Sequence, residues 1–212
     1  MKQPSVSATV AFRPIFHPDR RRGQPLRRIF GALSLAAVAA AASALASEVP
    51  VAFRNTGMEE GTGTPAGWQK GPAVAGVQQV WDQKIAHGGK ASLCLRKTVQ
   101  RYFPIAQWSQ FVPIAPENAA RKLKVRCWVK TEAVTKAIVD VHYQGSSPQP
   151  GHAWAIFLGQ KQDSDPILTH DWKLYEGVVE VPANSSKIGI ALQIYGPGSV
   201  WFDDLQVAWI HD

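Results

Sequence analysis

The sequence after residue 46 is dominated by short segments in which apolar residues alternate with polar or small ones. In residues 188–195 the even positions are Ile, Ile, Leu and Ile, and in residues 123–130 the odd positions are Leu, Val, Cys and Val. A period of two is typical of a β-strand that packs one face against a core. Because no stretch places apolar residues at helical spacing, the pattern predicts an all-β chain.

Turn-forming residues separate these segments and indicate how many strands there are. Pro, Gly, Asn and Ser cluster between the apolar runs, for example at 145–151, 182–186 and 196–199. About nine or ten short strands with such turns predict one domain over 47–212, a two-sheet antiparallel β-sandwich. The further strand candidates are 73–80, 91–97, 107–114, 136–143, 152–158, 172–181 and 200–209.

Residues 1–46 have the three parts of a secretory signal peptide. A basic stretch ending in Arg27-Arg28 is followed by an apolar run over 29–42 and by Ala-Leu-Ala at 44–46. We expect cleavage after residue 46 and a periplasmic or secreted protein with no membrane anchor. The alternative is a retained anchor, for which the apolar run is barely long enough. The arginine pair also resembles a twin-arginine signal, so Sec and twin-arginine export both stay open.

The net charge of +7 is concentrated in this N-terminal segment. Residues 1–46 contain seven basic residues and one acidic residue, Asp19, which leaves 47–212 with a net charge of +1. A domain without a basic surplus lacks the electrostatic footprint of a nucleic-acid-binding protein. The same near-neutral charge predicts an uncharged ligand rather than an acidic one.

The two cysteines, Cys94 and Cys127, each lie in a predicted strand. In an oxidising compartment a disulfide between them would tie two strands together, and loop closure would contribute roughly 3–4 kcal/mol. The alternative is a pair of buried free thiols, which hydrophobic cores accommodate. We predict the disulfide.

Four short motifs occur in an order that resembles a known family. Residues 55–61 are N-T-G-M-E-E-G, 65–68 are P-A-G-W, 87–93 are H-G-G-K-A-S-L, and 201–205 are W-F-D-D-L. Together they resemble the galactose-binding-like jelly rolls found among carbohydrate-binding modules, over nearly the whole of the predicted domain. The resemblance implies the jelly-roll form of the β-sandwich. It is less specific for function, because this fold carries many functions.

The resemblance also implies a structural calcium ion that ties the first strand to the last. The matching positions are Glu59, Asp203 or Asp204, and a main-chain carbonyl near Lys90. Calcium prefers hard oxygen ligands of these kinds. Asp203 shares the parity of Leu205, so we expect it to point inward, where an ion would compensate for the burial of its charge. The alternative is that these acids contact water or backbone amides at the sheet edge.

Aromatic and polar residues on the side of the strands opposite the core form a candidate ligand site. Ring faces cover the apolar C–H side of a sugar, and polar side chains bond its hydroxyls. We expect Trp128 and Tyr195 to lie on neighbouring strands as a stacking platform. For each tryptophan the alternative is a place in the core, and for two of them the alternation does not show which side is buried. The candidate ligand-binding residues are Trp128, Tyr195, Gln193, His142, Asp140, Trp108 and Trp154.

Three classes of function are compatible with the sequence. The first is a non-catalytic, exported carbohydrate-binding module that binds a glycan or polysaccharide on its concave sheet. The second is a jelly-roll adhesion or assembly domain whose partner is a protein. The third is an enzyme, which is least favoured because the acidic residues are scattered and no nucleophile elbow or zinc-binding histidine motif occurs. We predict the first class, with calcium as its structural cofactor.

Overall fold

The computed structural model describes residues 47–115, 122–145 and 150–211. The predicted signal peptide, 1–46, lies outside these residues, so export and its route stay predictions. The described part of the chain contains eleven strands and no helix, which confirms the all-β prediction. Within the same ranges, no helix has the length and hydropathy needed to cross a membrane. The strands are β1 (Ser47–Pro50), β2 (Gln69–Lys70), β3 (Val77–Asp82), β4 (Ser92–Lys97), β5 (Ala106–Pro113), β6 (Lys122–Val134), β7 (Lys136–Gly145), β8 (Gly151–Gly159), β9 (Leu168–Glu180), β10 (Ser185–Ile194) and β11 (Gly198–His211).

The strands form two antiparallel sheets, as the alternation predicts. The six-stranded sheet has the order β3-β4-β11-β6-β9, with β1 added beside β11. The five-stranded sheet has the order β2-β5-β10-β7-β8. β4 pairs with the first residues of β11 and β1 with the last ones, so the final strand is central to its sheet.

The core lies between the two sheets and is built by the predicted alternating residues. Burial of each such aliphatic side chain stabilises the fold by about 1.5–3 kcal/mol. On β10 the opposite side is covered as well, because Ala191 and Gln193 are 0% and 3% exposed on this central strand. The fully buried alternating residues are Leu123, Val125, Cys127 and Val129 of β6 and Ile188, Ile190, Leu192 and Ile194 of β10.

A β-bulge in β11 changes which residues face the core. The pairing of β11 with β6 shifts between Asp203 and Gln206, and Asp204 adopts a left-handed φ of 45°. As a result Phe202 before the bulge and Leu205 after it both pack into the core, although strict alternation would place them on opposite sides. The bulge therefore reorients the two aspartates relative to the sequence-based prediction.

The predicted disulfide is wrong, because Cys94 and Cys127 are both buried free thiols. β11 separates their strands within the sheet. Cys94 points to the outer side, since Leu93 and Leu95 face the core, whereas Cys127 is itself part of the core. Burial raises the pKa of both thiols, to about 12 for Cys94, so each behaves as a small apolar group.

A candidate ligand-binding face on the five-stranded sheet

The side of the five-stranded sheet that faces away from the core carries most of the predicted ligand-binding residues. On β7, Val139 and Val141 are in the core, so Asp140 and His142 point to the opposite side. We call this side the five-strand face and the corresponding outer side of the other sheet the six-strand face. The principal side chains of the five-strand face are Gln107, Gln193, Tyr195, Lys136, Asp140, His142, His152, Trp154 and Phe157.

A β-bulge brings two aromatic residues of β8 onto the five-strand face. Val139 pairs with Ile156, while the next residue of β7, Asp140, pairs with Trp154. The extra residue of β8 lets Trp154 and Phe157 lie on the same side, although three positions separate them. Their ring centroids are 6.0 Å apart. Trp154 is 46% exposed and is therefore accessible to a ligand.

Trp108 lies in the core, so its prediction as a ligand-binding residue is wrong. It pairs with the buried Leu192 of β10 and is itself 1% exposed. Its indole Nε1 donates a hydrogen bond of 3.3 Å to the carbonyl of Cys94 in the opposite sheet. The sequence did not show which side of β5 is buried because a polar residue, Gln110, shares the inner side with Trp108.

Trp128 lies on the six-strand face and not on the five-strand face. β6 belongs to the six-stranded sheet, and Cys127 and Val129 on either side of Trp128 face the core. The ring of His87 stacks on the indole of Trp128 at 3.8 Å with an interplanar angle of 14°. The prediction that Trp128 and Tyr195 form one platform on neighbouring strands is therefore wrong.

Asp140 is a buried carboxylate held between two histidines. It is 2% exposed, and its Oδ2 lies 3.3 Å from Nε2 of His142 and 3.2 Å from Nδ1 of His152. Nδ1 of His152 is aligned for a hydrogen bond to Asp140, whereas Nε2 of His142 is not. Both side chains remain partly exposed, although Nε2 of His142 is itself buried. The ring nitrogen of His152 that does not face Asp140, Nε2, can donate to or accept from a ligand.

A chain of hydrogen bonds crosses the five-strand face beside this cluster. Nε2 of Gln193 donates to Oε1 of Gln107 at 2.9 Å, and the hydroxyl of Tyr195 donates to Oε1 of Gln193 at 3.0 Å. Gln193 is 3% and Tyr195 7% exposed, so these bonds satisfy polar groups that burial would otherwise leave unpaired. The pKa of Tyr195 is raised mainly by its burial and to a smaller extent by the nearby charge of Asp140.

Sequence reasoning missed an aromatic cluster at one end of the five-strand face. Tyr102 and Phe103, which precede β5, are 42% and 68% exposed. The ring of Phe103 lies 6.2 Å from that of Tyr195. Two adjacent aromatic residues in a loop were the available signal, because exposed apolar patches mark binding sites. We call this set the aromatic end, and it consists of Tyr102, Phe103, Trp154, Phe157 and Tyr195 around Lys136.

The predicted calcium ligands lie elsewhere, around segment 85–91 at the six-strand face. Glu59 accepts hydrogen bonds from the backbone N–H groups of Lys90 and Ala91, at 2.7 and 3.1 Å. Gly89 in this segment has a φ of +62°, and a Cβ there would lie 2.3 Å from the Glu59 carboxyl group. The second glycine of the H-G-G-K motif is therefore required for this close approach.

Asp203 is fully buried beneath the same segment. Its Oδ2 accepts from the backbone N–H groups of His87 and Gly88 at 2.8 and 3.2 Å, and its Oδ1 from that of Asp204 at 2.8 Å. Burial raises the pKa of Asp203 to about 6. Asp203 pairs with Trp128 and lies on the outer side, so the predicted inward orientation is wrong because the bulge shifts the alternation.

These contacts match the alternative that the acids bond backbone amides. An N–H group presents positive partial charge, whereas calcium requires oxygen donors directed at it. Within the ranges that the structure describes, no group of three or more His, Cys, Asp or Glu side chains has the geometry of a metal site. In this arrangement the donors do not fit a calcium ion, and calcium at Glu59, Lys90, Asp203 and Asp204 stays a prediction.

Solved structures with this architecture include xylan-binding domains and cyclases. The CBM22-1 xylan-binding domain from Paenibacillus barcinonensis Xyn10C is 16% identical, with a TM-score of 0.50 over 74% of this chain and 93% of that domain. The CBM22-1-CBM22-2 tandem domain of the same Xyn10C is 15% identical, with a TM-score of 0.53 over 80% of this chain and 48% of the tandem. The Stig cyclase Fisc from Fischerella sp. TAU, in complex with an indole derivative, is 16% identical, with a TM-score of 0.51 over 78% of this chain and 100% of the cyclase.

Comparison of the amino-acid sequence with known proteins gives fewer matches than comparison of the structure. No protein-family model matches the chain. The uncharacterized HTH-type transcriptional regulator YbfP of Bacillus subtilis (strain 168) is 27% identical over 135 residues, which cover 58% of this chain and 40% of the regulator. The strand order and the structural similarity confirm the resemblance in the sequence motifs: the chain has the β-sandwich fold of jelly-roll carbohydrate-binding modules.

Proposed function

We propose that this protein is a non-catalytic carbohydrate-binding module that binds a polysaccharide on its five-strand face. The observation that carries the proposal is the exposed indole of Trp154 at the aromatic end, beside buried polar groups on the same side of one sheet. An exposed ring can stack on the apolar face of a pyranose, and nearby polar side chains can bond its hydroxyls. The shared fold with xylan-binding domains supports this proposal.

The polar residues of the five-strand face suit hydroxyl recognition. The side chains of His142 and His152 are partly exposed, and Asp140 lies between them with a hydrogen bond to His152. Asp140 is also the only acidic residue within the five strands of this sheet. A glycosidase would need two carboxyl groups facing each other across the sugar, so this composition favours binding over hydrolysis.

The second candidate is an adhesion or assembly domain with a protein partner. Phe103, Tyr102 and Trp154 are all at least 42% exposed at the aromatic end. Exposed apolar clusters of this kind also occur at protein interfaces. Binding of purified polysaccharide by the isolated protein favours the first proposal, whereas a lack of glycan binding favours this one.

Export is part of the same proposal. We expect a mature protein that begins at Ser47, in the periplasm or secreted, since the Ala-Leu-Ala sequence at 44–46 precedes it. N-terminal sequencing of the exported protein tests this, and a sequence that begins upstream of residue 46 contradicts it.

Calcium is a separate prediction that thermal denaturation tests. Binding to the folded state alone raises the melting temperature with calcium concentration. Asp203 and Glu59 now accept hydrogen bonds from the backbone N–H groups of His87 and Lys90. Either carboxylate could bind calcium only if these N–H groups turned away from it. A melting temperature that is unchanged between excess calcium and a chelator contradicts the site.

Trp154→Ala is the direct test of the proposed sugar-binding face. We expect affinity electrophoresis in gels containing xylan and other polysaccharides to show retardation of the wild type and none of the variant. The free energy of unfolding should change by less than about 1 kcal/mol, because the indole is largely outside the core.

Trp128→Ala is the matched control, since it removes a partly exposed indole from the six-strand face. We expect it to keep the wild-type retardation. If both variants lose binding together, or if Trp154→Ala binds as well as the wild type, the proposed face is wrong.

A further inference from the structure

Lys136 places a positive charge at the centre of the aromatic end. It is the first residue of β7, and its side chain lies on the five-strand face. The Nζ atom is 4.7 Å from the ring centroid of Trp154, 4.9 Å from that of Tyr195, 5.3 Å from that of Phe157 and 5.7 Å from that of Tyr102. Aromatic rings on several sides displace water and strengthen any electrostatic contact that the ammonium makes.

Within the described ranges, the Lys136 ammonium forms no ion pair with a carboxylate. Asp140, the acidic residue of this sheet, is held by His142 and His152. A second cation, Lys97, donates to the backbone carbonyls of Tyr102 and Tyr195, at 3.2 and 2.5 Å. The aromatic end therefore presents a positive charge that no described carboxylate contacts directly, while the charge of Asp140 on the same face acts on Tyr195.

The ligand that fits this arrangement has an apolar ring face and a carboxylate attached to that ring. We propose that the aromatic end is a subsite for a uronic acid residue, so that the polysaccharide is acidic. The pyranose ring stacks on Trp154, and its carboxylate accepts charge-assisted hydrogen bonds from Lys136. This inference rests on the proposed glycan binding and specifies its ligand. It also replaces the expectation of an uncharged ligand, because the net charge of the domain does not describe this end of one face.

The test compares each polysaccharide with its own carboxyl-reduced form. Carbodiimide activation followed by borohydride converts each carboxylate to a primary alcohol and leaves the rest of the chain unchanged. The probes are glucuronoxylan, polygalacturonate and alginate, with and without reduction, measured by affinity electrophoresis and calorimetry. We expect the wild type to bind at least one acidic form about tenfold more tightly than its reduced form.

Three variants assign the preference to Lys136. Lys136→Met should remove the preference for the acidic form, and Lys136→Arg, which keeps the positive charge, should retain most of it. Lys173→Met is the matched control, because Lys173 also lies over an aromatic ring, Tyr175, but on β9 of the other sheet. It should bind as the wild type does, and melting curves should show that all three variants are folded.

The outcomes separate this inference from the proposed function. Equal binding of acidic and reduced forms by the wild type overturns the uronate subsite and leaves glycan binding intact. A preference that survives in Lys136→Met overturns the role of Lys136. Binding of neither form of any probe overturns both proposals.

Discussion

The two outer faces of the sandwich treat their charged side chains differently. On the six-strand face Arg126 bonds Glu48 and Glu176, and Lys124 lies 3.2 Å from the same two carboxylates. On the five-stranded sheet the lysines lie over aromatic rings instead, and within the described ranges none of them pairs with a carboxylate. Two of these lysines lie on the five-strand face, Lys136 over the aromatic end and Lys187 over Phe111, whereas Lys70 lies over the inward-facing Trp108.

The aromatic residues of the two faces differ in the same way. Trp128 on the six-strand face is covered by the stacked ring of His87, and Trp172 packs at the edge of that ring. Trp154 and Phe103 at the aromatic end stay 46% and 68% exposed. On the six-strand face these charged and aromatic groups contact one another, whereas the five-strand face leaves ring faces and a positive charge accessible. This difference, more than the number of aromatic residues, is the reason for proposing the five-strand face as the ligand-binding surface.

The largest effect on stability is expected from Asp82→Ala, which breaks the pairing on the six-strand face. Asp82 is 6% exposed and accepts hydrogen bonds from Nε1 of Trp201 and from Arg96, at 2.9 and 3.1 Å. Its removal leaves the buried indole N–H without an acceptor, which should cost about 2–3 kcal/mol of unfolding free energy. Urea denaturation followed by tryptophan fluorescence measures this, and glycan binding should not change. A loss below about 0.5 kcal/mol would contradict the importance of these bonds.

The pH dependence of stability should report the same carboxylate. Burial alone would raise the pKa of Asp82, but the hydrogen bonds from Trp201 and the backbone of Lys84 hold it below its usual value. Between the two pKa values of Asp82, the unfolded chain binds a proton at this residue and the folded chain does not. The contribution of Asp82 to the free energy of unfolding is therefore fully present above its unfolded-state pKa and is lost as the pH falls through its folded-state pKa. Thermal denaturation of the wild type and Asp82→Asn below about pH 4 should show a smaller acid-induced loss in the variant.

The sequence predicted the fold because burial imposes a pattern on each strand. Ile188 to Ile194 alternate as they do because one side of β10 contacts the opposite sheet. The jelly-roll form was predictable from motifs, because their residues make contacts that this fold requires. In the H-G-G-K segment, for example, Gly89 allows the close approach to Glu59. The alternation of apolar residues and the choice of turn residues both involve neighbours along the chain, so a single sequence is enough to detect them.

The site was less predictable, because it depends on features that are not local. Whether Trp128 and Tyr195 are neighbours depends on which sheet each strand joins, and strands distant in sequence decide that. The orientation of Asp203 depends on a bulge, and so does the shared side of Trp154 and Phe157. Trp108 shares its side of β5 with a glutamine, so its burial had no distinguishing pattern.

A smaller effect is expected within the five-strand face itself. The pKa of Tyr195 is raised first by burial and second by the charge of Asp140. Asp140→Asn removes that charge, so the pKa of Tyr195 should fall part of the way towards its usual value. NMR titration of the tyrosine Cζ resonances measures the change. Asp171→Asn on the six-strand face is the control, and a Tyr195 titration that moves equally in both variants would contradict a local interaction.

The smallest effect, and the sharpest test of the contrast between the faces, concerns exposed charges. Arg126 lies between Glu48 and Glu176, and its hydrogen bonds lower the pKa of Glu48 to about 2. Because these groups are open to solvent, Arg126→Met should lower the melting temperature by only about 1–2 °C at low salt. The difference should vanish in about 1 M NaCl, which screens such pairs. Lys187→Met on the five-stranded sheet removes the same charge where no described carboxylate pairs with it, so its melting temperature should show no salt-dependent loss. If Lys187→Met loses stability in low salt as Arg126→Met does, the five-stranded sheet pairs its charges after all, and the contrast between the two faces is wrong.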